Sequence, residues 1–117
     1  SIEYAKMIQT AILPSMELLS RHLEHFVVFK PRDIVSGDFY WAEEVDGKYL
    51  IVTADCTGHG VPGAFMSMLG ISLLNEIIIS KEIIRPDKIL NKLRDKIVEA
   101  LKQESSSVIR DGMDMTI

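Results

Sequence analysis

Asp38 and Asp55 are the residues whose type and spacing most directly imply chemistry in this chain. Asp38 stands in Ser36-Gly37-Asp38-Phe39-Tyr40-Trp41, and Asp55 opens the glycine-rich run Asp55-Cys56-Thr57-Gly58-His59-Gly60-Val61-Pro62-Gly63. Between them lie two alternating segments, Phe39 to Val45 and Lys48 to Ala54, joined by Asp46-Gly47. Asp-Gly favours a type I′ hairpin turn because both residues tolerate positive φ. Counting outward from that turn sets Val45 opposite Lys48 and Asp38 opposite Asp55. Two bare carboxylates side by side repel, and the usual resolutions are a raised pKa or a bound cation. An all-oxygen ligand set suits magnesium or manganese, which keep several waters and need few protein carboxylates. The competing reading of the same two residues is capping of strand-end and turn N–H groups.

The elements that must position these aspartates follow from hydrophobic period. Ala5, Ile8 and Ile12, flanked by Met7 and Ala11, fall at helical spacing, and Pro14 disfavours helix at Leu13. That short stripe either packs on its own domain or serves as a coiled-coil or dimer contact. Phe26-Val27-Val28-Phe29 within Leu23 to Lys30 predicts a strand ending at Pro31, making a three-stranded antiparallel sheet with the hairpin. Val61 to Ser80 predicts a helix, with Pro62 in its first turn and so little polar face that it should lie buried between layers. Ser67, Ser72, Asn75 and Glu76 interrupt its apolar run. It is expected to fall short of the ~20 predominantly apolar residues that a bilayer requires, so no membrane span is predicted. Pro86 to Gln103 predicts a second helix with Ile89, Leu90, Leu93, Ile97, Val98 and Leu101 on one face. Ser105-Ser106-Ser107 marks a loop, and Gly112 to Ile117 begins a strand with no partner adjacent in sequence.

Composition narrows the function classes. The 117 residues suit at most one domain, and 47% hydrophobic with 26% charged residues is ordinary globular usage. A net charge of −4, with 13 Lys and Arg dispersed along the chain, gives no basic footprint for nucleic acid. The single Cys56 excludes an intramolecular disulfide and a zinc knuckle, which fits a reducing, cytoplasmic setting. No basic region followed by an apolar stretch opens the sequence, so no signal peptide is expected. No Gly-Lys-Ser/Thr follows the glycines, which makes a nucleotide P-loop a poor fit.

Gly37-Asp38-Phe39-Tyr40, Asp55-Cys56-Thr57-Gly58-His59-Gly60, Pro62-Gly63-Ala64 and Asp111-Gly112-Met113-Asp114 together resemble the type 2C, metal-dependent protein serine/threonine phosphatases of bacteria. The resemblance points in particular to the stage II sporulation protein E and sigma-factor regulation subgroup. Ile8-Gln9 and Leu13-Pro14 are similar to the linker helix that commonly leads into that domain. The resemblance implies an α+β fold that is part of a four-layer αββα sandwich with antiparallel sheets, residues 1–19 being a linker-helix region and 20–117 the N-terminal part of the phosphatase domain. Family members continue past the Asp-Gly-Met-Asp strand into elements with further metal-binding aspartates, so the C-terminal half of the domain lies outside this sequence.

The activity implied is hydrolysis of phosphoserine or phosphothreonine by a water activated between two Mn2+ or Mg2+ ions, set ~3.5–4 Å apart in such hydrolases. By resemblance Asp38 is the first metal aspartate, Asp55 bridges, Cys56 contributes its backbone carbonyl, and Asp114 takes the acidic position of the third motif. The Cys56 side chain is expected to be a small buried hydrophobe. His59 has a natural pKa for a proton donor to the leaving serine oxygen, with a turn-stabilising hydrogen bond as the alternative. His22 and His25 lie outside every motif and are expected to be surface or packing residues. The implied partners are a phosphorylated signalling protein, such as an anti-sigma-factor antagonist, and an upstream sensor domain. A different class of reading is a non-catalytic regulatory or self-association module, because an unfinished sheet invites a homodimer or a domain swap.

Overall fold

The structure is a computed structural model that describes residues 1–103 and 110–117. The loop expected at Ser105–Ser107 lies outside the described residues. Among the described residues eight elements follow one another: helix α1 (Ile2–Ile12), short helix α2 (Met16–Ser20), strands β1 (Asp38–Val45) and β2 (Lys48–Cys56), helix α3 (Gly60–Leu74), a π-helical segment (Asn75–Ser80), helix α4 (Pro86–Ala100) and strand β3 (Met113–Thr116). Local chemistry sets their ends. Ser1 and Ser15 cap α1 and α2 by accepting from the N–H of Tyr4 and Leu18. Leu13, before Pro14, turns to extended backbone at φ −70 and ψ 151 and closes α1.

The hairpin forms in the register set by its turn. Asp46 and Gly47 both have positive φ, at 56 and 74, and the pairs run from Val45 with Lys48 to Asp38 with Asp55. Strand alternation then sends Phe39, Trp41, Leu50, Val52, Ala54 and Cys56 to one face, where they join Met66, Ile71, Leu74, Ile77, Ile78, Ile89, Leu93 and Ile97 in a single core. Helices α3 and α4 and the π-helical segment cover that face. At the α3 to π junction, the Trp41 indole donates to Asn75 Oδ1 at 3.0 Å, which places the polar atom of a buried aromatic.

Three expectations change. Residues 23–30 enter no ladder: the third strand is β3, which pairs antiparallel with the far edge of β2, Thr53 with Thr116 through Cys56 with Met113. The 23–30 segment crosses the other sheet face instead, with the Phe29 ring edge-on to Tyr40 at 5.6 Å and with Phe26 and Val28 87% and 70% exposed. Helix α3 is buried on one side only, since Val61 and Phe65 face outward. Gly60–Ser80 spans 21 residues at mean hydropathy 1.5, which is long and apolar enough to cross a bilayer by length and composition, and half of its most apolar window is buried inside the fold.

Candidate metal centre

Register builds the site. Asp38 pairs with Asp55, and Asp55 pairs with Asp114, so three aspartates stand in one row across β1, β2 and β3. Directly opposed residues of an antiparallel pair project from the same face, with Cβ atoms about 4.5–5.5 Å apart. That face is the one turned away from α3 and α4. All three carboxylates line a groove of about 730 Å3, whose floor includes Tyr40, Ile51 and Thr53. A second concavity of about 390 Å3 runs from Asp55 and Asp114 to Thr57 and Arg110.

Asp38 shows the strain of this arrangement. It remains open to the groove, yet partial loss of water, a hydrogen bond to Asp55 and the charge of Asp55 raise its pKa above the ordinary 3.8. A proton shared with Asp55 and a bound cation relieve the same repulsion, so the donor chemistry at Asp38–Asp55 fits a hard divalent ion. Among the described residues no three His, Cys, Asp or Glu side chains converge closely enough to cage a metal. The aspartates therefore form a row, with Asp114 one strand further from Asp38 than Asp55 is.

The other expected residues fall on either side of this row. Cys56 points its thiol into the core, where burial first and then the charges of Asp38 and Asp55 push its pKa up to about 12. It stays protonated there and serves as a small hydrophobe. Its backbone carbonyl faces the first motif, because a Cβ built on Gly37 would stand 3.4 Å from Cys56 O. His59 is the N-cap residue of α3, makes no side-chain cap bond, and places Nδ1 2.9 Å from Asp33 Oδ2. It is absent from the lining of both concavities. His22 sits on the surface against Glu44 and Tyr49, and His25 Nδ1 lies 3.2 Å from Leu23 O.

Backbone contacts hold the motifs against each other. A Cβ on Gly37 would meet Gly58 O at 2.8 Å, and a Cβ on Gly63 would meet the same oxygen at 2.8 Å and Gly37 Cα at 3.2 Å. A side chain at either position would force the backbone to shift. Thr57 ties in the third motif: its N–H donates to Gly112 O at 2.9 Å, and its hydroxyl oxygen accepts from Gly112 N at 3.0 Å. Such reciprocal bonds set where β3 starts, and so set Asp114 opposite Asp55.

The stage II sporulation protein E (SpoIIE) family matches residues 45–116, more than half of the chain and inclusive of Asp55 and Asp114. The chain belongs to the SpoIIE family. The solved structure of the SiaA-PP2C domain of Pseudomonas aeruginosa agrees with this SpoIIE-family chain at a TM-score of 0.78 and 40% identity, over 97% of this chain. The chain covers 45% of that one, so it corresponds to part of a type 2C phosphatase domain. No curated protein matches. Sequence reasoning left Thr57, Asp33 and Arg110 of the SpoIIE-family site without roles. Their partners lie 55 residues away for Thr57 and 26 for Asp33, and no local period signals contacts at that range.

Proposed function

We propose that this SpoIIE-family chain supplies the aspartate-bearing part of a metal-dependent protein serine/threonine phosphatase. The observation that carries the reading is the row of Asp38, Asp55 and Asp114 on the open sheet face, with Asp38 held above its ordinary pKa. Asp38 and Asp55, with the Cys56 carbonyl and Asp114 beside them, would hold Mn2+ or Mg2+. When bound, the cations supply an activated water and charge to stabilise the transferring phosphoryl group. Arg110, at the rim beside Asp55 and Asp114, offers a planar fork of donors to the phosphate of the incoming phosphoserine or phosphothreonine. We assign His59 to holding the turn through Asp33, since it stands apart from the groove. By family resemblance the substrate is a phosphorylated signalling protein such as an anti-sigma-factor antagonist, the setting is cytoplasmic, and a sensor precedes residues 1–19.

The test is hydrolysis of a phosphoserine protein, with and without Mn2+, by the intact protein that carries this chain. Asp55→Asn is expected to lower kcat more than about a hundredfold, beyond the loss typical of an outer-shell partner, and His59→Gln to leave it within a few-fold. Full activity of the Asn variant in Mn2+ would sink the reading. A second reading, self-association, is favoured by the exposed Phe26 and Val28 beside the groove.

A further inference from the structure

We infer that Gln9, on α1, is a positioning residue for the aspartate row: its amide clasps Ser36 and Ser67 and thereby fixes the backbone that leads into Asp38. In its link to metal binding, this rests on the phosphatase reading above.

Helix α1 is unusual in what it buries. Its hydrophobic residues Ile2, Tyr4, Met7, Ile8 and Ile12 are 37–65% exposed, and Gln9 is its one buried residue, at 7%. An 11-residue helix is marginal by itself in water, so its contacts decide where it sits. Here the contacts that bury it are directional. Gln9 Oε1 accepts from Ser36 N at 2.8 Å. Gln9 Nε2 donates to Ser36 O at 2.7 Å and to Ser67 Oγ at 2.9 Å. Ser67 is fully buried on α3, and its hydroxyl proton is shared between Ser36 O at 3.1 Å and Ala64 O at 2.9 Å.

Two bonds from one amide to both backbone polar groups of a single residue fix its position and its rotation, as a rung of a β-ladder does. The need is local. Asp38 is the first residue of β1, so nothing in the sheet holds the peptide units before it. Ser36 passes the restraint on, because its Oγ accepts from Asp38 N at 2.9 Å. The path from α1 to the first aspartate is thus Gln9, Ser36, Asp38, with Gly37 pressed against Gly58 between them.

The residue type matters for each bond. Glutamate keeps an acceptor for Ser36 N but has no N–H for Ser36 O or Ser67. Leucine offers neither, and it leaves buried polar groups without partners, which costs more than the bonds themselves contribute.

The experiment compares the intact protein with its Gln9→Leu, Gln9→Glu and Met7→Ala variants by hydrogen–deuterium exchange and by Mn2+ titration calorimetry. Gln9→Leu is expected to speed exchange of the peptide Val35–Phe39 roughly tenfold and to weaken Mn2+ binding by a similar factor, while peptides of the hairpin around Asp46-Gly47 keep their protection. Gln9→Glu falls between Gln9→Leu and the unaltered protein, and Met7→Ala, 65% exposed on the opposite side of the same helix, moves neither reading. The inference is overturned if Val35–Phe39 exchange is unchanged in Gln9→Leu, or if it rises only in step with the hairpin peptides, as a general loss of stability would give. Absence of Mn2+ binding in the unaltered protein would defeat the phosphatase reading instead, and exchange at Val35–Phe39 would still decide the clasp.

Discussion

Asp38 holds its proton more tightly than an isolated aspartate because partial burial and Asp55 both penalise its charge. Its folded pKa lies above its unfolded one, so the folded state binds more protons between the two values. The corresponding stability is fully present below the ordinary value of 3.8 and is lost as pH rises through the folded value. Cation-free protein should therefore melt higher for Asp38→Asn than for the unaltered chain at neutral pH, with the difference shrinking in acid. Melting curves in the presence of a chelator check this, and a lower melting temperature for the Asn variant at neutral pH would contradict it. Cys56 yields a second expectation. With its thiol buried and pushed to about 12, it should resist iodoacetamide at neutral pH until the protein unfolds, which mass spectrometry reads directly. Among the aspartates, the Asp38–Asp55 pairing was legible beforehand because hairpin register is a matter of counting from Asp46-Gly47. Gln9 was visible as part of a motif but its task was not, since its partners Ser36 and Ser67 lie 27 and 58 residues away.

Elements succeed or fail by how local their signals are. Helices α1, α3 and α4 and the hairpin follow from period, proline placement and one Asp-Gly turn. The segment 23–30 has strand-like composition and stays unpaired: it lies across the sheet face, although the outer edge of β1 has no partner strand among the described residues. Composition reports that a residue fits a pleated, half-buried surface and does not say which edge accepts it. The π-helical segment Asn75–Ser80 was likewise unforeseen, and the Trp41–Asn75 bond marks where the α-helix gives way to it. The packing of α3 on the Asp55 turn gives a prediction at this scale. Gly63→Ala places a Cβ 2.8 Å from Gly58 O, with backbone on both sides, and should destabilise by about 1–3 kcal/mol. Chemical denaturation measures it, and a neutral result would mean that α3 shifts freely on the turn.

At the scale of the molecule, the described Cα atoms extend 45 × 34 × 19 Å, and the short dimension holds one sheet and one helical layer. The opposite sheet face carries the aspartate row and a groove partly covered by residues 23–29. Exposed apolar surface of this kind associates, so light scattering on this 117-residue chain should show mass rising with concentration. Phe26→Ser, which removes an 87% exposed ring, should lessen that rise, and a clean monomer at all concentrations would argue against self-association. The apolar Gly60–Ser80 helix illustrates the same scale: length and composition alone fit a bilayer, and the fold assigns half of its apolar window to the core. The sequence by itself determined the hairpin register, the Asp38–Asp55 pair, the main helices and the motifs of a type 2C phosphatase, because each is written in spacing over a few residues. Tertiary structure alone decided the register that sets Asp114, already singled out by its motif, opposite Asp55, that α1 docks through a glutamine, and that 23–30 stays out of the sheet. Those outcomes depend on which distant segments meet which face, edge or N–H, and no local pattern encodes that meeting.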